Sequence, residues 1–148
     1  ADMAAQNNNP GPWNPTRGIY EPLNMVSFDQ TFYGASELIS MDSVGYVYVP
    51  TNCATGAVEC HLHVNFHGCN QQRTKVGGTQ YVEHTGLNEW GEANNIVILY
   101  PQIVASDLVP LNPQGCFDWW GYAGDNYGVR SGPQMQVIRS MISALGHF

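Results

Sequence analysis

The residues of this chain that could do chemistry begin with His67-Gly68-Cys69, the tight corner that closes the stretch CHLHVNFHGCN, Cys60 to Asn70. A backbone N–H just after a glycine at the end of a strand can point outward at a developing negative charge, which is the work of an oxyanion donor in acyl transfer. In that reading Cys69 contributes its amide and not its thiol, because a reactive thiol needs an activating cationic neighbour and a disulfide removes it altogether. The plainer alternative is a turn with a structural bridge, and spacing alone does not choose between them. A second chemistry is metal binding: His61, His63 and His67 share one face of the same stretch, and His-x-His pairs on a strand can converge on zinc, giving a His-ligated zinc hydrolase. Zinc sites usually add a carboxylate or a further histidine. Here His84 falls on a helix and His147 at the terminus, so the three are read as satisfied histidines and no metal or other cofactor is expected. The third group is Cys116-Phe117-Asp118-Trp119-Trp120-Gly121-Tyr122, with four aromatics in six positions. Trp119, Trp120 and Tyr122 could form an exposed platform for a polymer, or fill a core as aromatics beside glycine often do.

A nucleophile is missing from this inventory. Hydrolases in which a strand feeds such a corner carry serine in Gly-x-Ser-x-Gly between a strand and a helix. None of the eight serines stands in that frame. Ser131, in Gly128-Val129-Arg130-Ser131-Gly132, comes closest and is one residue out of register. With no clear acid partner for a histidine, a Ser-His-Asp triad cannot be assembled from these residues, and Asp118 and Asp125 are read as turn residues.

The elements that must position the corner alternate between strand and helix. Strands are predicted at Asn24–Phe28, at Tyr46–Pro50, at His61–His67 with Leu62, Val64 and Phe66 facing a core, and at Ile96–Tyr100, an apolar run of buried-strand length. Thr31 to Ser43 carries no clear pattern. Tyr81, His84, Leu87, Trp90 and Ala93 recur at helical spacing, weakened by Gly86 and Gly91. A last helix starts at Pro133, with Met135, Ile138, Met141, Ile142 and Leu145 on one face and Gly146 as its stop. Strand, helix, strand from His61 to Tyr100 implies a right-handed crossover and a parallel pair, so the fold class is α/β with a mostly parallel sheet of about four strands. Ala1 to Glu21 is dense in Asn, Pro and Gly and reads as a strap. The domain division is therefore 1–23 as extended linker or strap and 24–148 as the folded unit.

Composition narrows the partners. Twelve acidic against five basic residues give a formal charge of −7, which repels phosphate backbones and anionic lipid, so neither nucleic acid nor a membrane is expected as a partner. No apolar run approaches the roughly 18 residues of a membrane helix. Four cysteines and a single lysine, Lys75, suit a secreted protein. The even count favours two disulfides: Cys53 and Cys60 flank a short polar turn, where a bridge would clip a hairpin. If Cys69 pairs with Cys116 the closed loop of about 48 residues is worth about 4 kcal/mol by loop entropy. The chain begins at Ala1 with no initiating methionine and no apolar leader, as a processed product or an excised segment would.

FHGCNQ at Phe66–Gln71, GLNEWGEANNIVILYPQ at Gly86–Gln102, NPQGCFDWWGY at Asn112–Tyr122 and GPQM at Gly132–Met135 together resemble the poly(3-hydroxybutyrate) depolymerases, secreted serine esterases of the α/β-hydrolase fold. The likeness runs in order from about Asn24 to Leu145. It implies that the Cys69 amide is an oxyanion-hole donor, that Cys69 and Cys116 are bridged, and that Phe117, Trp119 and Trp120 line the crevice for a polyester chain. Phe117 stands where the family usually has tryptophan, and the family's serine, aspartate and histidine motifs do not occur here. The resemblance therefore implies the oxyanion-hole half of the enzyme, second in a circularly permuted member. Its partner would be the nucleophile-bearing half, and this half alone would be inactive. A non-catalytic module that binds the polymer is the alternative.

Overall fold

A computed structural model describes residues 16–146; the first fifteen residues of the expected strap, and His147, lie outside the described residues. The strands are β1, Met25–Asp29; β2, Val44–Tyr48; β3, His61–Val64; and β4, Ile96–Tyr100. They form one sheet in the order β1-β2-β4-β3. The crossover expected from His61 to Tyr100 is present, with β3 parallel to β4 and His61 opposite Ile96. β1 pairs with β2 and β2 with β4 in antiparallel fashion. The sheet is therefore mixed, not mostly parallel: the chain doubles straight back from β1 to β2 without a helical crossover.

β4 is central and every one of its residues is buried, because both faces of the sheet are covered. Alternation along the strands divides the core in two. Val47, Val97 and Leu99 face α5, Pro133–Leu145, through Val137, Ile138 and Met141, with Met41 and Ile103 beside them. Tyr46, Tyr48, Ile96, Ile98 and Tyr100 face Val82 and Leu87 on the other side. The buried stripe of α5 runs Gln134, Val137, Ile138, Met141, a spacing of three and four residues. Met135, expected on that stripe, is exposed: it lies one position off the helical period.

The helix expected from Tyr81 to Ala93 is two, α3 (Gln80–His84) and α4 (Leu87–Asn94), preceded by one turn, α2, at Arg73–Val76. The break is at Gly86, with φ +75°, a left-handed conformation that glycine adopts without steric cost. Gly91, the other weak point, sits inside α4, where an added Cβ would meet the Ile96 carbonyl oxygen at 2.6 Å; its bareness lets the helix lie directly on β4. The segment ahead of β1 is held to α4 by the Gly18 N–H on the Glu89 carbonyl at 2.8 Å and by an Arg17–Glu89 ion pair at 2.9 Å.

Between β2 and β3 the expected polar turn contains a helical turn, α1, at Thr51–Ala54. Cys53 and Cys60 are bridged, but not as a clip on a hairpin: β4 lies between β2 and β3, so the bridge tightens a crossing connection instead.

Candidate active site

β3 stops at Val64, three residues short of the strand expected to His67. Asn65 still donates its N–H to the Leu99 carbonyl at 2.8 Å, and then the chain leaves the ladder. Leu62 and Val64 pack on the core as expected. Phe66 does not: past the strand end the alternation is lost and the ring is half exposed, edge-on to Phe117 at 5.0 Å. His67 turns inward instead and is 4% exposed. Its Nε2 accepts the Ile103 N–H at 3.2 Å and its Nδ1 lies 2.8 Å from the Gly68 carbonyl oxygen. An imidazole that accepts at Nε2 donates at Nδ1, so the ring is the neutral Nδ1–H tautomer. Burial pushes its pKa below the ordinary 6.5, partly opposed by the Gly68 carbonyl.

The corner is tied on every side but one. The Gly68 N–H donates to Gln71 Oε1 at 2.7 Å, and the Gln71 N–H returns to the Gly68 carbonyl at 3.1 Å. Asn70, at φ +61°, donates its N–H to the Gln114 carbonyl at 2.7 Å. Cys69 is bridged to Cys116 with the Cα atoms 4.3 Å apart. The Cys69 N–H itself has no acceptor among the described residues, and the residue is exposed. An amide left without an acceptor on a peptide fixed in the loop that follows a strand is a donor ready for an anion.

Immediately C-terminal to the corner, α2 is anchored by polar groups the sequence did not single out. Arg73 donates from Nε and Nη2 to the two oxygens of Asp42 at 2.9 and 3.0 Å, and its backbone N–H donates to Gln102 Oε1 at 3.0 Å. Gln102 is held in turn by Gln30, whose Oε1 accepts the Gln102 N–H at 2.9 Å and whose Nε2 donates to the Gln102 carbonyl at 3.0 Å.

The aromatic segment is displayed and not buried. Trp119 is 69% and Trp120 43% exposed, edge to face at 5.1 Å, and Trp120 meets Tyr122 at 4.8 Å. Phe117 is half buried and lies 5.0 Å from the His67 ring, linking the segment to the corner. Asp118 is a turn residue, as its sequence context implied: its carboxylate accepts the N–H groups of Trp120, Gly121, Tyr122 and Ala123 at 2.7 to 3.2 Å. The fully buried Asn112 accepts the Cys116 N–H and donates to the Cys116 carbonyl. Tyr122 reaches that carbonyl too, at 2.6 Å, and Gln134 of α5 donates to the Tyr122 oxygen at 2.7 Å. Burial pushes the Tyr122 pKa up to about 12, so the phenol stays protonated and donates. Sequence reasoning missed Asn112 and Gln134 because amides carry no titration signal.

The three histidines do not come together. His63 is exposed, His61 half buried, and both nitrogens of the buried His67 are engaged. Among the described residues no group of three or more His, Cys, Asp or Glu is placed to hold a metal ion. Ser131 sits in the turn before α5, exposed, with Asn126 Nδ2 on its carbonyl at 2.8 Å, and not at the end of a strand.

Comparison with models of known families gives no match. Among curated proteins, a polyhydroxybutyrate depolymerase of Talaromyces funiculosus is 38% identical over 131 residues, 82% of this chain and 38% of the relative. A poly(3-hydroxybutyrate) depolymerase of Delftia acidovorans is 42% identical over 120 residues, 80% of this chain and 23% of the relative. Among solved structures, a PHB depolymerase from Penicillium funiculosum superimposes with a TM-score of 0.78 at 37% identity, covering 86% of this chain and 42% of that one. A PHB depolymerase serine-to-alanine variant complexed with an R3HB trimer superimposes with a TM-score of 0.75 at 39% identity, covering 80% and 39%. The described sheet with its flanking helices is thus part of an α/β fold of the hydrolase type. By sequence and by fold the chain is similar to poly(3-hydroxybutyrate) depolymerases, and it spans less than half the length of the relatives it matches.

Proposed function

We propose that this chain is the oxyanion-hole segment of a secreted serine esterase that hydrolyses a polyester such as poly(3-hydroxybutyrate), and that the nucleophile comes from a segment it does not contain. The observation that carries the proposal is the Cys69 N–H: without an acceptor among the described residues, on a fixed peptide, in the loop after β3. In α/β-hydrolases the loop after β3 supplies one oxyanion donor and the residue after the nucleophile supplies the other. β3 is an edge of the described sheet, so a strand carrying the nucleophile can pair beside this loop. The circularly permuted order, with that segment ahead of this one, is part of the proposal. Two disulfides and the acidic, lysine-poor composition support an extracellular setting.

In the assembled enzyme the serine hydroxyl attacks the ester carbonyl and the tetrahedral oxyanion takes a hydrogen bond from the Cys69 amide and one from the nucleophile segment. Loss of one such donor costs about 100- to 1000-fold in rate. Phe117, Trp119 and Trp120 form the wall along which the polyester lies, their display fixed by Asp118. No cofactor is needed for this chemistry. The test is release of hydroxyacid from polyester granules: turnover by this chain combined with the segment of a relative that it does not span, and none by this chain alone. Appreciable hydrolysis by the chain alone, resistant to serine-directed inhibitors, would refute the proposal. Exposure of Trp119 and Trp120 also favours a second reading, a module that binds polymer without cleaving it, which predicts granule binding but no turnover in either form.

A further inference from the structure

We propose that His67 is the positioning residue that aims the Cys69 amide, by holding the carbonyl of the peptide of which that amide is the other half. Gly68 C=O and Cys69 N–H belong to one planar trans unit, so they point in opposite directions. The imidazole is buried beneath the corner and draws the Gly68 oxygen inward at 2.8 Å. The Cys69 N–H must then face outward, where it has no acceptor among the described residues. Gln71 shares the carbonyl through a longer bond, 3.1 Å, and its side chain fixes the preceding peptide by accepting the Gly68 N–H.

The other ring nitrogen sets how well the first one works. Nε2 accepts the Ile103 N–H just past β4, and this selects the Nδ1–H tautomer that the Gly68 carbonyl requires. Phe117 at 5.0 Å and Tyr81 at 6.1 Å close around the ring, and burial keeps it neutral. The aim of the amide is thereby referenced to the central strand and not to the loop alone.

The inference rests on Cys69 being the oxyanion donor, and two isosteric variants separate the two claims. His67→Asn keeps a donor near the Nδ1 position but strands the Ile103 N–H; His67→Gln keeps an acceptor near Nε2 but cannot reach the Gly68 oxygen. A purely structural histidine would make His67→Gln the better enzyme, since it satisfies the buried amide. The positioning role gives the opposite ranking. In the assembled enzyme His67→Gln should lose about tenfold in kcat with little change in KM, a fraction of the cost of losing the donor outright, while His67→Asn stays within about threefold despite being less stable. In the 15N-labelled chain, the Cys69 N–H dipolar coupling should be preserved in His67→Asn and altered in His67→Gln, and wild-type His67 should show the neutral Nδ1–H signature. An Nε2–H or charged His67 in the wild type, or an unchanged Cys69 coupling in His67→Gln, overturns the inference without any turnover being measured. An altered coupling with unchanged kcat would leave His67 aiming the amide and remove Cys69 from the oxyanion hole.

Discussion

Cys69 and Cys116 are bridged across 47 positions of sequence with their Cα atoms 4.3 Å apart, which fastens the corner after β3 to the segment that displays Trp119 and Trp120. Replacing both cysteines by alanine should cost about 4 kcal/mol of stability by loop entropy, against about 2.5 kcal/mol for the short Cys53–Cys60 loop. Urea denaturation of the two double variants checks the order. Equal losses would mean that native-state strain, and not loop length, governs the two bridges.

What could be read from sequence, and what could not, follows from the range of the interactions. β4 was legible because burial on both faces demands an unbroken apolar run, and Ile96 to Tyr100 supplies one. The Gly68–Cys69 corner was legible because the residue types are few and the glycine is conspicuous. The antiparallel β1–β2 and β2–β4 pairings were not, since they depend on which strand lies next to which across the fold. The Asn112, Tyr122 and Gln134 network was also hidden: Gln134 reaches back 95 positions to the Ile39 carbonyl, and no local pattern marks such a partner. Phe66 was misplaced because alternation holds only while the strand lasts.

Trp119→Ala and Trp120→Ala should each weaken adsorption to polyester granules several-fold while leaving the denaturation midpoint little changed, because Trp119 is 69% exposed and Trp120 43% exposed. Asp118→Ala should weaken adsorption as well and also destabilise, by about 1 to 3 kcal/mol, since it releases four backbone donors. Co-sedimentation with granules, set beside thermal melts, separates display from contact. Unimpaired adsorption in both tryptophan variants would place the binding wall elsewhere.

Arg73→Met should cost about 3 kcal/mol, because it leaves the Asp42 carboxylate, 4% exposed, without its ion-pair partner. Asp42→Asn added to Arg73→Met should recover part of the loss, as removing both charges of a buried pair costs less than removing one. Chemical denaturation of the single and double variants reads the coupling. Simple additivity would mean that the pair is screened by solvent.

Stability should fall as the medium is acidified below about pH 6.5. Burial lowers the folded pKa of His67, so the unfolded chain takes up the proton first, and the contribution present above the unfolded value is lost as pH drops through the folded one. Comparison of denaturation midpoints at about pH 7.5 and about pH 5.5 should give a smaller drop for His67→Gln than for the wild type. Identical drops would mean that the ring titrates freely and is not held neutral in the fold.

The most direct measurement is the amide proton of Cys69 in the assembled enzyme before and after a phosphonate inhibitor captures the nucleophilic serine. The adduct places a charged oxygen where the tetrahedral oxyanion forms, so a strong new hydrogen bond should move the Cys69 N–H resonance far downfield and slow its exchange with solvent. A Cys69 resonance that stays in place while the serine is fully modified would contradict the assignment of this amide to the oxyanion hole.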